Sequence, residues 1–257
     1  MHWYFFRRRA GAVLLCGAAA VLAAGCASAP PSLPGVTASP WAANSGLRAG
    51  GAADAWVHKT FPGKQPTHFE YARLDGRDTV AVRADASASM LRQPVRIEPS
   101  ELGRVRFSWK VPQLMEQADM ALRDKDDAAV RVVLAFEGDR SRFSTRDAAL
   151  SELARALTGE PMPYATLMYV WSKRRPPGTV IPSPRTDRIR KLVVESGPRR
   201  LNEWLDYERD IRADFERAFG EAPGALVGIG IMTDSDNTRS QARAWYGPLR
   251  LLAAQRR

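Results

Sequence analysis

The sequence predicts a mainly β protein, an antiparallel β-sandwich of jelly-roll type with two accessory helices. Short runs of alternating or continuous apolar residues recur from residue 55 to residue 252. Turn signals separate them, and only two segments carry a helical period. A parallel α/β fold would need a helix after nearly every strand, so many strands with two helices point to stacked antiparallel sheets.

The elements follow in order. Residues 55–61, 67–74, 78–84 and 88–95 are the first strands, parted by Phe61-Pro62-Gly63 and Asp75-Gly76. Residues 103–111 contain Arg104-Val105-Arg106-Phe107-Ser108-Trp109-Lys110-Val111, where polar and apolar positions alternate as in a strand with one buried face. Residues 130–137 and 165–171 are nearly continuous apolar runs, as central strands are. Between them Ser144 caps a helix that starts at Thr145, with Asp147 at the capping-box position and Gly159 just past the end. Leu150, Leu153, Ala154 and Leu157 form its apolar face, expected to pack on the sheet. A strand at 189–195 lies between the turns Pro176-Pro177-Gly178 and Ser196-Gly197-Pro198. A second helix is expected over 205–219, with Tyr207, Ile211, Phe215, Ala218 and Phe219 on one face and Gly220 and Pro223 as its stop. Strands at 225–233 and 243–252 complete the set. Gly228 and Gly230 thin one face of the former, leaving room for a ligand, a crossing strand or a bulge.

Three arginines, Arg7 to Arg9, precede an uncharged apolar run that ends in Leu22-Ala23-Ala24-Gly25-Cys26. That order is an export signal, and the cysteine after small residues makes it resemble a bacterial lipoprotein signal, cut before Cys26 with that residue acylated. The run is too short for the ~20 apolar residues of a spanning helix. Residues 1–25 are therefore expected to be a signal peptide. Residues 26–54 would be the acylated cysteine and a flexible Ala/Gly/Ser/Pro-rich tether, with Trp41 and Leu47 able to dock. Residues 55–257 would be one domain. Ala27, rather than an aspartate, follows the cysteine, which favours the outer membrane facing the periplasm. Cys16 leaves with the leader, so no disulfide, thiolate metal site or redox pair remains.

Removal of Arg7, Arg8 and Arg9 takes the formal charge from +10 to +7. In an exported protein this favours lipid headgroups or anionic envelope polymers as partners over nucleic acid, for which no motif is present. After processing only His58 and His68 remain, against a histidine-rich zinc centre. No phosphate-binding glycine loop, dinucleotide fingerprint or Gly-x-Ser-x-Gly is present.

Three constellations could carry chemistry. Asp126 and Asp127 open a strand that holds Arg131, a pattern for a structural ion pair or substrate contacts. Tyr169-Val170-Trp171 lies in a central strand. Thr233-Asp234-Ser235-Asp236-Asn237-Thr238 follows an apolar strand and precedes Trp245-Tyr246-Gly247. Its oxygens suit a local turn, sugar hydroxyls, or Ca²⁺ at Asp234 and Asp236. Trp245 and Tyr246 offer ring area for stacking or for the core.

The pattern Asp-Asp-Ala-Ala-x-Arg, then Tyr-Val-Trp, then Thr-Asp-x-Asp-Asn-Thr with a later Tyr-Gly resembles the DUF3047 family of exported bacterial proteins. The resemblance implies an exported β-rich domain and no assigned activity. The residues lean towards binding rather than catalysis. The expected function is a lipid-anchored envelope protein that binds a glycan or envelope polymer through Asp126, Asp127, Arg131, Asp234, Asp236, Asn237, Trp245 and Tyr246. One alternative is a glycan-cleaving enzyme using two carboxylates among Asp126, Asp127, Glu137, Asp234 and Asp236. Another is an assembly lipoprotein with a protein partner.

Overall fold

The computed structural model describes residues 39–47 and 56–254. The signal-peptide and Cys26 expectations lie outside the described residues. None of the described helices is long and apolar enough to cross a membrane.

Two sheets stack as a β-sandwich. The first has seven strands in the order β1 (Val57–Thr60), β4 (Ala88–Ile97), β11 (Leu226–Asp234), β6 (Ala128–Phe136), β7 (Ala165–Ser172), β9 (Ile189–Ser196) and β8 (Val180–Pro182). The second runs β10 (Trp204–Asp210), β5 (Arg104–Lys110), β12 (Gln241–Tyr246), β3 (Arg77–Asp85) and β2 (His68–Leu74), with β13 (Arg250–Leu252) also paired to β5. Among the described strands every pairing is antiparallel except β7 with β9. The chain crosses repeatedly from one sheet to the other between β3 and β6 and between β9 and β12, as in a jelly roll.

Alternation in the sequence decides which side chains meet between the sheets. Phe107 and Trp109 of β5 face Tyr169 of β7, with Phe107 and Tyr169 stacked at 5.4 Å. Leu91, Val132, Leu134, Leu167, Ile229 and Ile231 fill the rest of this layer from the seven-stranded sheet. Burial of such aliphatic side chains contributes about 1.5–3 kcal/mol each and is the main driving force for the sandwich.

Among the described residues three α-helices decorate it. The short α1 (Pro40–Asn44) carries Trp41, which is fully buried, and Leu47 follows it into the core. These two residues dock that part of the expected tether onto the domain. α2 (Thr145–Thr158) begins where expected: Ser144 accepts from the Asp147 amide and donates to its carboxylate, and Gly159 closes the helix at φ +76°. Its burial differs from expectation. Asp147 and Ser151 are its buried residues, while Leu153 and Leu157 are 54% and 60% exposed. Thr186 bonds Asp147 and Arg140 bonds Ser151, so polar partners orient the helix rather than its leucines.

The expected helix over 205–219 divides into two elements. Residues 204–210 form β10, zipped to β5 from Trp204 opposite Lys110 to Asp210 opposite Arg104. Only Ile211–Phe219 is helical (α3), capped by Asp210 and closed by Gly220. Leu205 and Tyr207 have a strand period as well as a helical one, and pairing with β5 selects the former. β8 and β10 are the strands absent from the sequence reading. The expected strand at 243–252 divides into β12 and β13 at Gly247-Pro248.

Candidate functional site

The outer face of the seven-stranded sheet has two halves of opposite character. Rows of side chains across the strands define them, because paired residues point to the same face. One row runs Pro94, Gly228, Ala135, Thr166 and Ile189. The next runs Arg92, Gly230, Val133, Met168 and Lys191. A third runs Lys59, Met90, Met232, Arg131, Val170 and Val193. Asp234, two residues beyond Met232, is on the same face.

At the Asp234 end the segment between β5 and β6 covers the sheet and seals a charge network beneath it. Arg131 is 3% exposed and binds Asp234 through two parallel bonds, Nε to Oδ1 at 2.8 Å and Nη2 to Oδ2 at 2.9 Å. Nη2 also donates to the Asp126 carbonyl at 2.8 Å and its carboxylate at 3.1 Å. Lys191, 1% exposed, donates to the other Asp126 oxygen at 2.6 Å and to the Met120 carbonyl at 2.7 Å. Asp127 does different work. One oxygen accepts from the Asn237 amide and side chain at 3.1 and 2.9 Å, the other from the Thr238 amide and hydroxyl at 2.7 and 2.5 Å. It thereby pins the loop after β11.

Burial and pairing act in opposite directions on the protonation of this network. Burial pushes the Asp234 carboxyl up to about 6 despite the Arg131 guanidinium. Burial also opposes the charge on Asp126, but Arg131 and Lys191 together outweigh it and hold that carboxyl below its ordinary range. Burial, helped by the charge of Arg131, pushes the Lys191 ammonium down to about 8, although Asp126 pulls the other way.

The structure thus brings together Asp126, Asp127, Arg131, Asp234 and Asn237, joined to one another rather than open to a ligand. Tyr246 belongs with them. Buried in the core, its hydroxyl accepts from the Arg131 amide at 3.1 Å and donates to the Met232 carbonyl at 2.6 Å, bridging the register shift between β6 and β11. Trp245, its neighbour, lies on the outer face of the other sheet opposite Lys110 and Ala81, remote from this cluster. Asp236 pairs with Lys64 at the surface. Asp127, Asp234 and Asp236 present oxygens within 4.8 Å of one another. Those oxygens accept from Arg131, Lys64 and the loop amides, donors that a calcium ion would have to replace.

Beyond Met168, whose sulfur contacts the Arg131 guanidinium, the same face opens into a groove of about 1020 Å³. Its floor is thin because Gly228, Gly230 and Ala135 lie side by side in the middle of the sheet. A Cβ on Gly230 would come 2.8 Å from the Leu91 carbonyl, so that glycine is needed for the close approach of β4. Gly228, at a register shift, has ordinary van der Waals room above it. Met90, Met168 and Met232 line one end, and α2 with residues 160–163 forms a wall through Ala154, Thr158 and Met162. Charged pairs mark the rim: Arg92 with Glu160 at 2.6 Å, and Arg96 with both Glu137 oxygens at 3.1 Å.

Of the acids considered for catalysis, Glu137 alone lines this groove, and Arg96 engages both its oxygens. The signal for the groove was present in the sequence as Gly228-x-Gly230 and in the alternation Met90, Arg92, Pro94, Arg96 along β4. It became a site only when four strands aligned their rows.

Residues 54–250 match the family described as "Protein of unknown function (DUF3047)". The chain belongs to the DUF3047 family. No curated protein matches this DUF3047 chain in sequence. Among solved structures it is similar to the family 11 carbohydrate-binding module of the cellulosomal cellulase Lic26A-Cel5E of Clostridium thermocellum, at 9% identity, 82% of this chain, 94% of that chain and a TM-score of 0.40. A family 11 module from Clostridium thermocellum in complex with a β-1,3-1,4-mixed-linked tetrasaccharide matches at 10% identity, covering 79% and 91%, with a TM-score of 0.37. The xyloglucanase domain of NopAA, a type three effector from Sinorhizobium fredii, in complex with cellobiose, matches at 10% identity, 77% and 92%, and 0.39.

Proposed function

We propose that this DUF3047 protein is a lipid-anchored cell-envelope protein that binds an elongated ligand, a glycan or another envelope polymer, along the groove of its seven-stranded sheet. The observation that carries the reading is the 1020 Å³ groove with a thin apolar floor and a rim of charged, hydrogen-bonding side chains. Its volume is at the top of the range of ligand sites, and it has the combination they share, apolar area with a few convergent polar groups. Binding is favoured over bond cleavage because the rim acids Glu137 and Glu160 are tied to Arg96 and Arg92. The resemblance of the N-terminal segment to a lipoprotein signal and the net positive charge of the sequence support a partner in the envelope.

The full chain, carried on phosphatidylcholine vesicles, should co-sediment with envelope polysaccharide fractions. Gly228→Trp and Ala135→Trp, which fill the floor, should weaken this by about tenfold or more, whereas Trp245→Ala on the opposite sheet should not. Undiminished binding by both filled variants, each melting as a folded protein, would remove the groove from the proposal.

A further inference from the structure

The chemistry of the groove narrows the ligand class, on the reading that the groove is the binding site. Sugar rings stack on exposed aromatic faces, and this lining has few. Phe61 is half-buried, Phe136 is fully buried, and no tryptophan takes part. The floor consists instead mainly of methionine, alanine, valine, isoleucine, proline and glycine, with Thr166 among them. Methionine is the side chain that adapts best to flexible apolar ligands.

Two further observations bear on what such a ligand carries and where it comes from. Arg140, exposed at the groove wall, donates to the Ser151 hydroxyl at 3.1 Å and to the Met162 carbonyl at 2.7 Å. Its charge has no carboxylate partner among the described residues, unlike Arg92 and Arg96. Beside it, α2 turns Ala154 and Thr158 to the groove and leaves Leu153 and Leu157 in solvent, about a quarter-turn round the helix. Arg146 shares that outer quarter. Exposed leucines that share a helix face with an arginine suit the interface of an anionic membrane.

We propose that the groove holds the fatty-acyl chain of an anionic membrane lipid, its head paired with Arg140, and that the leucine ridge of α2 meets the membrane surface from which the lipid is drawn. The acyl chain lies over Gly228, Gly230 and Ala135, where the floor is lowest, and reaches towards Met168 and Met232. The ligand is thus an amphiphile, and a glycan would be bound through the lipid it carries.

The probe is palmitic acid with a diazirine at its chain end, irradiated with the full chain on phosphatidylcholine vesicles and mapped by peptide mass spectrometry. Labels should fall on the groove floor, on Met90, Val133, Met168 or Met232. Unlabelled palmitate should displace them about tenfold better than hexadecanol, which has the same chain and no charge. Arg140→Gln should abolish that preference and Arg140→Lys should keep it. Gly228→Trp, with Ala135→Trp as the second filling variant, should cut labelling by about tenfold. The Leu153→Ser/Leu157→Ser double variant should slow uptake from vesicles without changing the labelled residues. Labels scattered over the surface, or labelling unchanged in a folded filled variant, would overturn the inference. Protection of the groove by a soluble envelope oligosaccharide but not by palmitate would retire the acyl occupant and leave the proposed function standing. Protection by neither would retire both.

Discussion

Replacing Arg131 with methionine tests the central claim about the acidic cluster, that it is an internal brace. Methionine keeps the unbranched stem and removes the guanidinium. Asp234 then loses two of its three charge-assisted bonds and keeps the Ala128 amide at 3.1 Å, while Asp126 keeps Lys191. An unpaired carboxylate at 3% exposure is left behind. Removing one partner of a buried pair costs about 3–5 kcal/mol, and in a domain of this size each kcal/mol moves the melting point by about 2–4 °C. The expected fall is therefore roughly 6–20 °C by circular dichroism at pH 7.5. The loss should shrink at pH 5, because the orphaned carboxyl is more readily neutralised there than at neutral pH. Substituting leucine for Asp234 in the same chain should recover much of the loss, since both charges are then gone. A fall below about 2 °C, or one that grows towards acid pH, would refute the brace.

Further outcomes follow from the same geometry. The folded chain holds the Lys191 proton more weakly than the unfolded chain does, at about 8 against 10.5. Its contribution to stability therefore increases as pH rises from 8 towards 10.5, by up to ~3 kcal/mol. The melting-point difference between wild type and Lys191→Met should move in favour of wild type over that window. Asp127→Ala removes four bonds to residues 237 and 238. It should cost about 3 kcal/mol and speed hydrogen exchange at 235–240 ahead of the core strands. Calcium or a chelator should shift the melting curve by less than about 1 °C, because donors already occupy the carboxylates of Asp127 and Asp234. A calcium-dependent rise would instead identify an ion site there.

Much of this architecture was readable from side-chain order alone. Alternation in residues 103–111 marks a strand with one buried face and the continuous run in residues 130–137 a central strand, and both formed, as β5 and β6. Ser144 with Asp147, and Gly159 at the other end, fixed the limits of α2 because capping is a local matter of backbone groups left without partners. The pairing of Arg131 with Asp126, five residues before it, was also a local inference, whereas its bidentate pairing with Asp234 was not.

Three things needed the fold. Residues 204–210 became a strand because β5 offered a ladder, a choice that seven residues with two compatible periods cannot make themselves. Leu153 and Leu157 of α2 stayed in solvent because Asp147 and Ser151 found polar partners, Thr186 and Arg140, outside the helix. The groove exists because β4, β11, β6 and β7 place small side chains in one line, from positions spread over residues 94–228. Sequence sets the face on which each residue lies, since alternation is a property of the single strand. Register sets which residues share a row, and register is decided only when strands meet.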